Sequence, residues 1–280
     1  MKPLPASGLP ESPQPQIPWL LWLDDAHDAA FNMAADQALL DRAATLPAPL
    51  LRIYRWDRPT LSFGRSQLWP VDIPDPPLRV RRPTGGGIVR HGDDLTYTVV
   101  LPAGHPLAQM EIHESYRLMH AAIGEQFGAA VHLQEERRRG GDLRRMRCFE
   151  SPVRHDILGA DGVKRAGAAQ LRTKTGVLVQ GSVRLDADAG DWIGHRDAIV
   201  RAFASFAPAG YAEWTPPSDF LEAARALANR QFASEAWNRR GEAPVAETAV
   251  DSASPGTRNS AQPAWIRVTS SAESRRHVAD

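Results

Sequence analysis

Apolar residues recur with two periods along the central part of the chain, and the periods alternate. Leu51-Arg52-Ile53-Tyr54-Arg55-Trp56 intersperses apolar with polar residues in the alternating manner of a strand. Thr60–Phe63 after Pro59, Leu78–Arg82, Asp94–Leu101 ended by Pro102, and Gly176–Arg184 read the same way. Phe31, Ala34, Ala35, Ala38 and Leu39 instead share one helical face, and Asp28 stands where it can cap a helix over 29–42. Tyr116, Met119, Ile123 and Phe127 predict an amphipathic helix over 113–128. Ile199, Phe203 and Phe206 predict another near 192–206, and Phe220, Ala224 and Leu227 a further one. Strands and helices mix without regular βαβ alternation. The expected class is therefore α+β, with a mixed, largely antiparallel sheet packed with helices.

The ends differ from this body. Residues 1–17 carry Pro3, Pro5, Pro10, Pro13 and Pro15 among small polar residues and read as a disordered leader. Residues 241–280 are rich in Ala, Ser, Pro and Thr and read as a disordered tail, patterned only at Trp265-Ile266-Arg267-Val268. One catalytic domain is expected over 18–240. Lys+Arg and Asp+Glu both number 33, and this zero net charge argues against a general nucleic-acid binder. The single Cys excludes an internal disulfide and suits a reducing compartment. No apolar run reaches the ~18 residues of a membrane span, and no basic-then-apolar start marks secretion. A cytoplasmic protein without a membrane partner is expected.

Chemistry concentrates in two segments. Arg81-Arg82-Pro83-Thr84-Gly85-Gly86-Gly87-Ile88-Val89-Arg90-His91 runs from a strand into three glycines. As plain structure this is a tight connection between strands. As a site it is a backbone ledge whose N–H groups face a phosphate or an acyl carbonyl. No Gly-Lys-Ser/Thr follows, so it is not a Walker loop, and the helix of a dinucleotide fingerprint is missing. Arg81 and Arg82 should point to opposite faces, one solvated and the other free to clamp an anion. His91 alone is a structural residue or a site residue. In Asp161-Gly162-Val163-Lys164-Arg165-Ala166-Gly167-Ala168-Ala169-Gln170, Lys164 sits in a polar turn and small residues follow, so that the backbone can pack tightly against a ligand or a facing strand. A lysine held there could polarise a carbonyl. Cys148 is either an apolar filler or a nucleophile. The basic stretch Arg137–Arg147, with Gly140 and Gly141 inside it, reads as a solvated loop or one that meets an acidic partner or phosphate; no aromatic residue interleaves as in single-strand nucleic-acid sites.

Together these segments resemble the lipoate/octanoate protein ligase and transferase family, within the biotin/lipoate ligase superfamily. Residues 81–91 match its Arg-Arg-x-x-Gly-Gly-Gly-x-Val-x-His signature throughout, and 164–170 match Lys-x-x-Gly-[Ser/Ala]-Ala-Gln. Gly181-Ser182, residues 31–39 and Leu51–Phe63 extend the likeness over roughly 20–206. The resemblance implies attachment of an octanoyl or lipoyl group to a lysine of lipoyl domains, in 2-oxoacid dehydrogenases or the glycine-cleavage H protein. It implies that Lys164 contacts the acyl carbonyl. It also implies that Arg82, Thr84, Gly85, Gly86, Gly87, His91, Gly167, Ala168 and Ala169 bind substrate, with no metal-ligand set. Two mechanisms share the scaffold. Octanoyltransferases accept octanoate from acyl carrier protein on a cysteine and need no cofactor; Cys148-Phe149-Glu150-Ser151-Pro152 resembles their pattern, sixteen positions before Lys164. Ligases use ATP and Mg2+ to form an acyl-adenylate, and Gly87 is more typical of them. Catalysis by Cys148 and Lys164 is the leading expectation. A biotin ligase lacks support, because its Gly-Arg-Gly-Arg stretch is missing. A non-catalytic paralogue that binds lipoyl domains or lipoate, and a nucleic-acid site at 137–147, are the readings from other classes.

Overall fold

A computed structural model describes residues 17–71, 73, 78–135, 152–184, 192–243 and 266–267. The main sheet has nine strands in the order β12-β11-β1-β2-β6-β10-β9-β8-β7. These are β1 (Trp19–His27), β2 (Leu50–Trp56), β6 (Asp94–Pro102), β7 (Val131–Leu133), β8 (Ile157–Gly159), β9 (Lys164–Arg172), β10 (Gly176–Arg184), β11 (Tyr211–Trp214) and β12 (Ile266–Arg267). β1 pairs in parallel with β2 and β11, and the other pairs are antiparallel. β3 (Thr60–Phe63), β4 (Leu78–Arg81) and β5 (Val89–His91) form a second, three-stranded sheet. The expected α+β class with a mixed sheet holds, as do the expected strands at 51–56, 60–63, 94–101 and 176–184, within a residue of their ends.

The helices are α1 (Ala29–Asp41), the short α2 (Pro106–Gln109), α3 (Ile112–Phe127), α4 (Trp192–Ala204) and α5 (Ser218–Leu227). Asp28 caps α1 as its sequence position predicts, its carboxylate accepting from the Phe31 N–H at 2.9 Å. One sheet face carries Leu51, Ile53, Leu95, Tyr97 and Val99 against Met119 and Ile123 of α3 and Ile199 and Phe203 of α4. The opposite face lies under α1 and α5, with Leu50, Val100 and Leu178 against Phe31, Leu39 and Phe220.

The face under α1 changes character rung by rung. Leu50, Val100, Leu178 and Leu171 are in register across β2, β6, β10 and β9 and are apolar. Two residues along stand Arg52, Thr98, Gln180 and Ala169, and after them Tyr54, Thr96, Ser182 and Gly167. Side chains on a strand repeat every two residues, so these three rows face the same way. The middle row is a buried polar lock. Arg52 uses all five N–H donors: two to Asp24 Oδ2, one to Asp36 Oδ1, and two to the main-chain and side-chain oxygens of Asn32, at 2.7–3.1 Å. Asp36 Oδ2 accepts from Tyr54 Oη, Thr98 Oγ1 and Gln180 Nε2. The lock fixes α1 to the sheet directly above the third row, where the site lies.

Candidate active site

The third row is the floor of a slot with about 410 Å3 of empty space, its open mouth included. Tyr54, Thr96, Ser182 and Gly167 line it in that order across four strands, with Trp56, Gln180, Ala168 and Ala169 beside them. Met33 of α1 forms part of the wall, and Ser62, Arg82, Gly86, Val89 and His91 of the small sheet and its glycine loop form the roof.

The roof is set by one guanidinium. Arg82 Nη2 donates to the carbonyls of Gly85 (2.9 Å) and Gly87 (2.7 Å), folding the glycine loop around itself. Its Nη1 donates to Ser62 Oγ at 2.7 Å. His91 Nε2 is 2.6 Å from the same oxygen, and His91 Nδ1 lies 2.7 Å from Asp94 Oδ2. A carboxylate only accepts, so His91 Nδ1 donates to Asp94, while Nε2 shares its hydrogen bond with the Ser62 hydroxyl. Burial alone would push the Asp94 carboxyl up. The adjacent His91 ring, with hydrogen bonds from His91, Ser182 and the Gly92 N–H, outweighs that and holds it below the usual carboxylate range. Of the three glycines only Gly86 has positive φ, at 83°. Gly64 is equally constrained from below: a Cβ there would sit 2.2 Å from the Gly86 carbonyl oxygen.

At the β9 end the slot meets Lys164. Between β8 and β9 the register advances one residue on β8, from Ile157 to Leu158, but two on β9, from Ala166 to Lys164. This bulge re-aims the Lys164 side chain onto the face of Gly167. A Cβ on Gly167 would lie 2.4 Å from Lys164 Nζ, so the ammonium stands against the slot's last floor residue. Lys164 is 1% exposed, and its Nζ donates to Asp156 Oδ2 at 2.7 Å. The same oxygen accepts from the Val153 N–H at 2.6 Å. His155 between them has φ of 71°, rare for a side-chain-bearing residue, and its carbonyl accepts from His120 Nδ1.

Most of the expected residues meet here. Arg82, Gly86, His91, Gly167, Ala168 and Ala169 line the slot. Thr84 is behind it, its hydroxyl donating to Gln180 Oε1 at 2.7 Å, and Gly85 and Gly87 serve through their carbonyls. Cys148 and the arginines of 137–147 lie outside the described residues. Two expectations are corrected. Lys164 is not in an exposed turn; it opens a strand and is buried, because the bulge turns it inward. Neither arginine of the pair is solvated: both are buried, and Arg81 donates to the carbonyls of Arg65, Gln67, Trp237 and Asn238. Sequence reasoning missed Asp156, Ser62, Asp94, Gln180 and the aromatic pair Tyr54 and Trp56. The alternation of β2 and the three-residue step from His91 to Asp94 were the available signals. Among the described residues no cluster of His, Cys, Asp and Glu could hold a metal ion, and no helix is long and apolar enough to cross a membrane.

Residues 28–208 match the lipoyl protein ligase A/B catalytic domain family. The chain belongs to that family. An octanoyltransferase of Geobacillus kaustophilus is 38% identical over 177 residues, which cover 57% of this chain and 62% of the relative. One of Halalkalibacterium halodurans is 36% identical over 176 residues, covering 58% and 63%. The chain thus spans less than two thirds of these relatives. Among solved structures, a Thermoplasma acidophilum protein assigned as a lipoate protein ligase, with bound lipoic acid, superposes with a TM-score of 0.63 at 22% identity. The match covers 80% of this chain and all of that one, and it shows a shared fold.

Proposed function

We propose that this protein is an octanoyltransferase that acylates a lysine of lipoyl domains, by way of a thioester on Cys148. The observation that carries this is the slot's lining. Its polar groups are paired among themselves: Ser62 with Arg82 and His91, Ser182 and His91 with Asp94, Gln180 with Asp36 and Thr84, and Trp56 Nε1 with Thr96. Such a slot offers a ligand shape and apolar contact but few open hydrogen bonds, which suits an unbranched acyl chain. A buried ammonium at one end suits the chain's carbonyl.

In this mechanism the Cys148 thiolate attacks the thioester of octanoyl acyl carrier protein and the carrier leaves as its thiolate, which takes up a proton from water. Lys164 donates to the carbonyl oxygen as negative charge develops there. The acceptor's neutral ε-amine then attacks the acyl-cysteine, the Cys148 thiolate leaves, and the amine's spare proton ends on sulfur or water. Both steps exchange an already activated bond, so no cofactor is consumed. Arg82, Thr84, Gly85–Gly87, His91 and Gly167–Ala169 shape the acyl site, and the cytoplasm is the expected compartment. The alternative, an ATP- and Mg2+-dependent lipoate ligase, draws support from Gly87. Intact-protein mass spectrometry with octanoyl acyl carrier protein and no ATP separates the two. A hydroxylamine-labile octanoyl adduct, lost in Cys148→Ser, supports the transferase. No adduct, but ATP-dependent lipoylation of a lipoyl domain, supports the ligase.

A further inference from the structure

We propose that His120 is a positioning residue for Lys164, acting through the His155 carbonyl and Asp156; this rests on the reading above in which Lys164 meets the acyl carbonyl. The ammonium is only as well placed as the turn that carries its carboxylate. Asp156 Oδ2 accepts from Lys164 Nζ at 2.7 Å and from the Val153 N–H at 2.6 Å, and the Asp156 N–H donates to the Val153 carbonyl at 3.0 Å. The carboxylate is thus locked to its own turn, and Lys164 follows wherever that turn moves.

The main chain ties the turn to the edge of the sheet. The His155 N–H donates to the Gln134 carbonyl at 2.7 Å, and the Gln134 N–H donates to the Asp156 carbonyl at 2.8 Å. Gln134 directly follows β7, a strand of three residues and the outermost on this side. The second tie comes from α3. His120 Nδ1 lies 2.6 Å from the His155 carbonyl oxygen, and a carbonyl only accepts, so Nδ1 donates. Met119 and Ile123 beside it are buried in the main core, so this donor stands on a packed helix. It holds His155 at its φ of 71°, a conformation that costs a side-chain-bearing residue free energy and persists only where the surroundings dictate it.

Packing alone does not explain a histidine here. His120 is 2% exposed, and its Nε2 is buried with no hydrogen-bond partner among the described residues. An apolar side chain would fill the place without stranding a nitrogen. A lysine or arginine would bring a second cation towards Asp156 and compete for it with Lys164. The imidazole donates without a charge. Burial lowers its pKa, the Lys164 charge adds to this against the pull of Asp156, and the ring stays neutral. His120 does not line the slot, so it acts on the reaction through Lys164.

The test compares His120→Leu, which removes the donor and the stranded nitrogen together, with His120→Asn, whose Nδ2 takes the place of Nδ1. Acylation of a lipoyl domain is followed from octanoyl acyl carrier protein and, separately, from lipoate with ATP and Mg2+. His120→Leu should lower kcat by about 10- to 100-fold, as a lysine displaced by up to ~1 Å does, with KM for the lipoyl domain within about twofold of wild type. His120→Asn should recover kcat to within about threefold of wild type. In a Lys164→Ala background His120→Leu should cost nothing further, because both changes remove one contribution. If His120→Leu does not fold, His120→Gln, whose amide stands at the Nε2 position, takes its place. A folded Leu or Gln variant with wild-type kcat, equal losses in that variant and in His120→Asn, or a full added loss in the Lys164→Ala background overturns the positioning role. A wild-type protein that acylates only with ATP overturns the transferase, and the same outcomes in that assay then decide for or against His120. A Lys164→Ala variant that turns over like wild type overturns the role of Lys164 and that of His120 together.

Discussion

Gly167→Ala probes the geometry around Lys164 more directly than removing the lysine. The new methyl would lie 2.4 Å from Lys164 Cε and Nζ and 2.7 Å from Asp156 Oδ1. Ordinary contacts begin near 3.5 Å, so the lysine tip must retreat by about 1 Å. A flexible side chain on the surface would do this at little cost. Here Lys164 is 1% exposed, its ammonium is bound to Asp156 at 2.7 Å, and Asp156 is held by the Val153 N–H. Overpacking of this kind costs about 1–3 kcal/mol, rising to about 3–5 kcal/mol if the buried pair separates. If Lys164 contacts the reacting carbonyl as proposed, a displacement of ~1 Å costs on the order of 100-fold in rate. Thermal unfolding and single-turnover octanoyl transfer to a lipoyl domain read the two effects. Gly85→Ala is the control for stability: its added Cβ meets nothing within 4 Å, so the melting free energy should stay within about 0.5 kcal/mol of wild type. If Gly167→Ala melts and turns over like wild type, the lysine does not work from its position against Gly167.

Other outcomes follow from the same physical picture. Arg52→Met leaves Asp24 and Asp36 buried without their cation and should destabilise by about 3–5 kcal/mol, read as a fall of roughly 6–20 °C in Tm. Burial lowers the His105 pKa from 6.5 to about 4, and its Nδ1 accepts the Leu107 N–H that starts α2. The unfolded chain then binds a proton before the native one, so stability is full above pH 6.5 and falls as pH drops from there through about 4. The loss is at most roughly 3 kcal/mol, less where water screens the partly exposed ring. His105→Asn, which keeps a capping acceptor, should flatten that slope in acid-unfolding curves; an unchanged slope would assign it elsewhere. Cys148→Ser should abolish ATP-free octanoyl transfer, measured as the loss of the covalent adduct.

The sequence made the fold class legible because the period-2 and period-3.6 segments are long and clean. The motif residues were legible because glycines and arginines sit within a few positions of each other. What stayed hidden was made by register. Tyr54, Thr96, Ser182 and Gly167 are far apart in the chain and become one floor only through three strand pairings. Lys164 read as a turn residue because a two-for-one step against β8 cannot be seen in β9 alone. One arginine of the pair read as solvated because part of what receives Arg81, at Trp237 and Asn238, lies more than 150 residues downstream.

That last tie has a consequence for how the molecule is made. Arg81 leads into the glycine loop, and its main-chain N–H and side chain are received by Asn238 and its neighbours, 157 residues later. Trp237 returns the contact, its indole N–H donating to the Arg81 carbonyl at 2.8 Å. On a ribosome adding roughly 5–20 residues per second, the strand waits about 8–30 s for the segment that receives it. During that interval Arg81 Nε and Nη2, which Trp237 and Asn238 receive, are left to water, and the roof over the slot lacks this anchor. Assembly of the slot is therefore a late event in synthesis, and a nascent chain stopped before residue 237 carries every residue of the slot without the clasp that closes it.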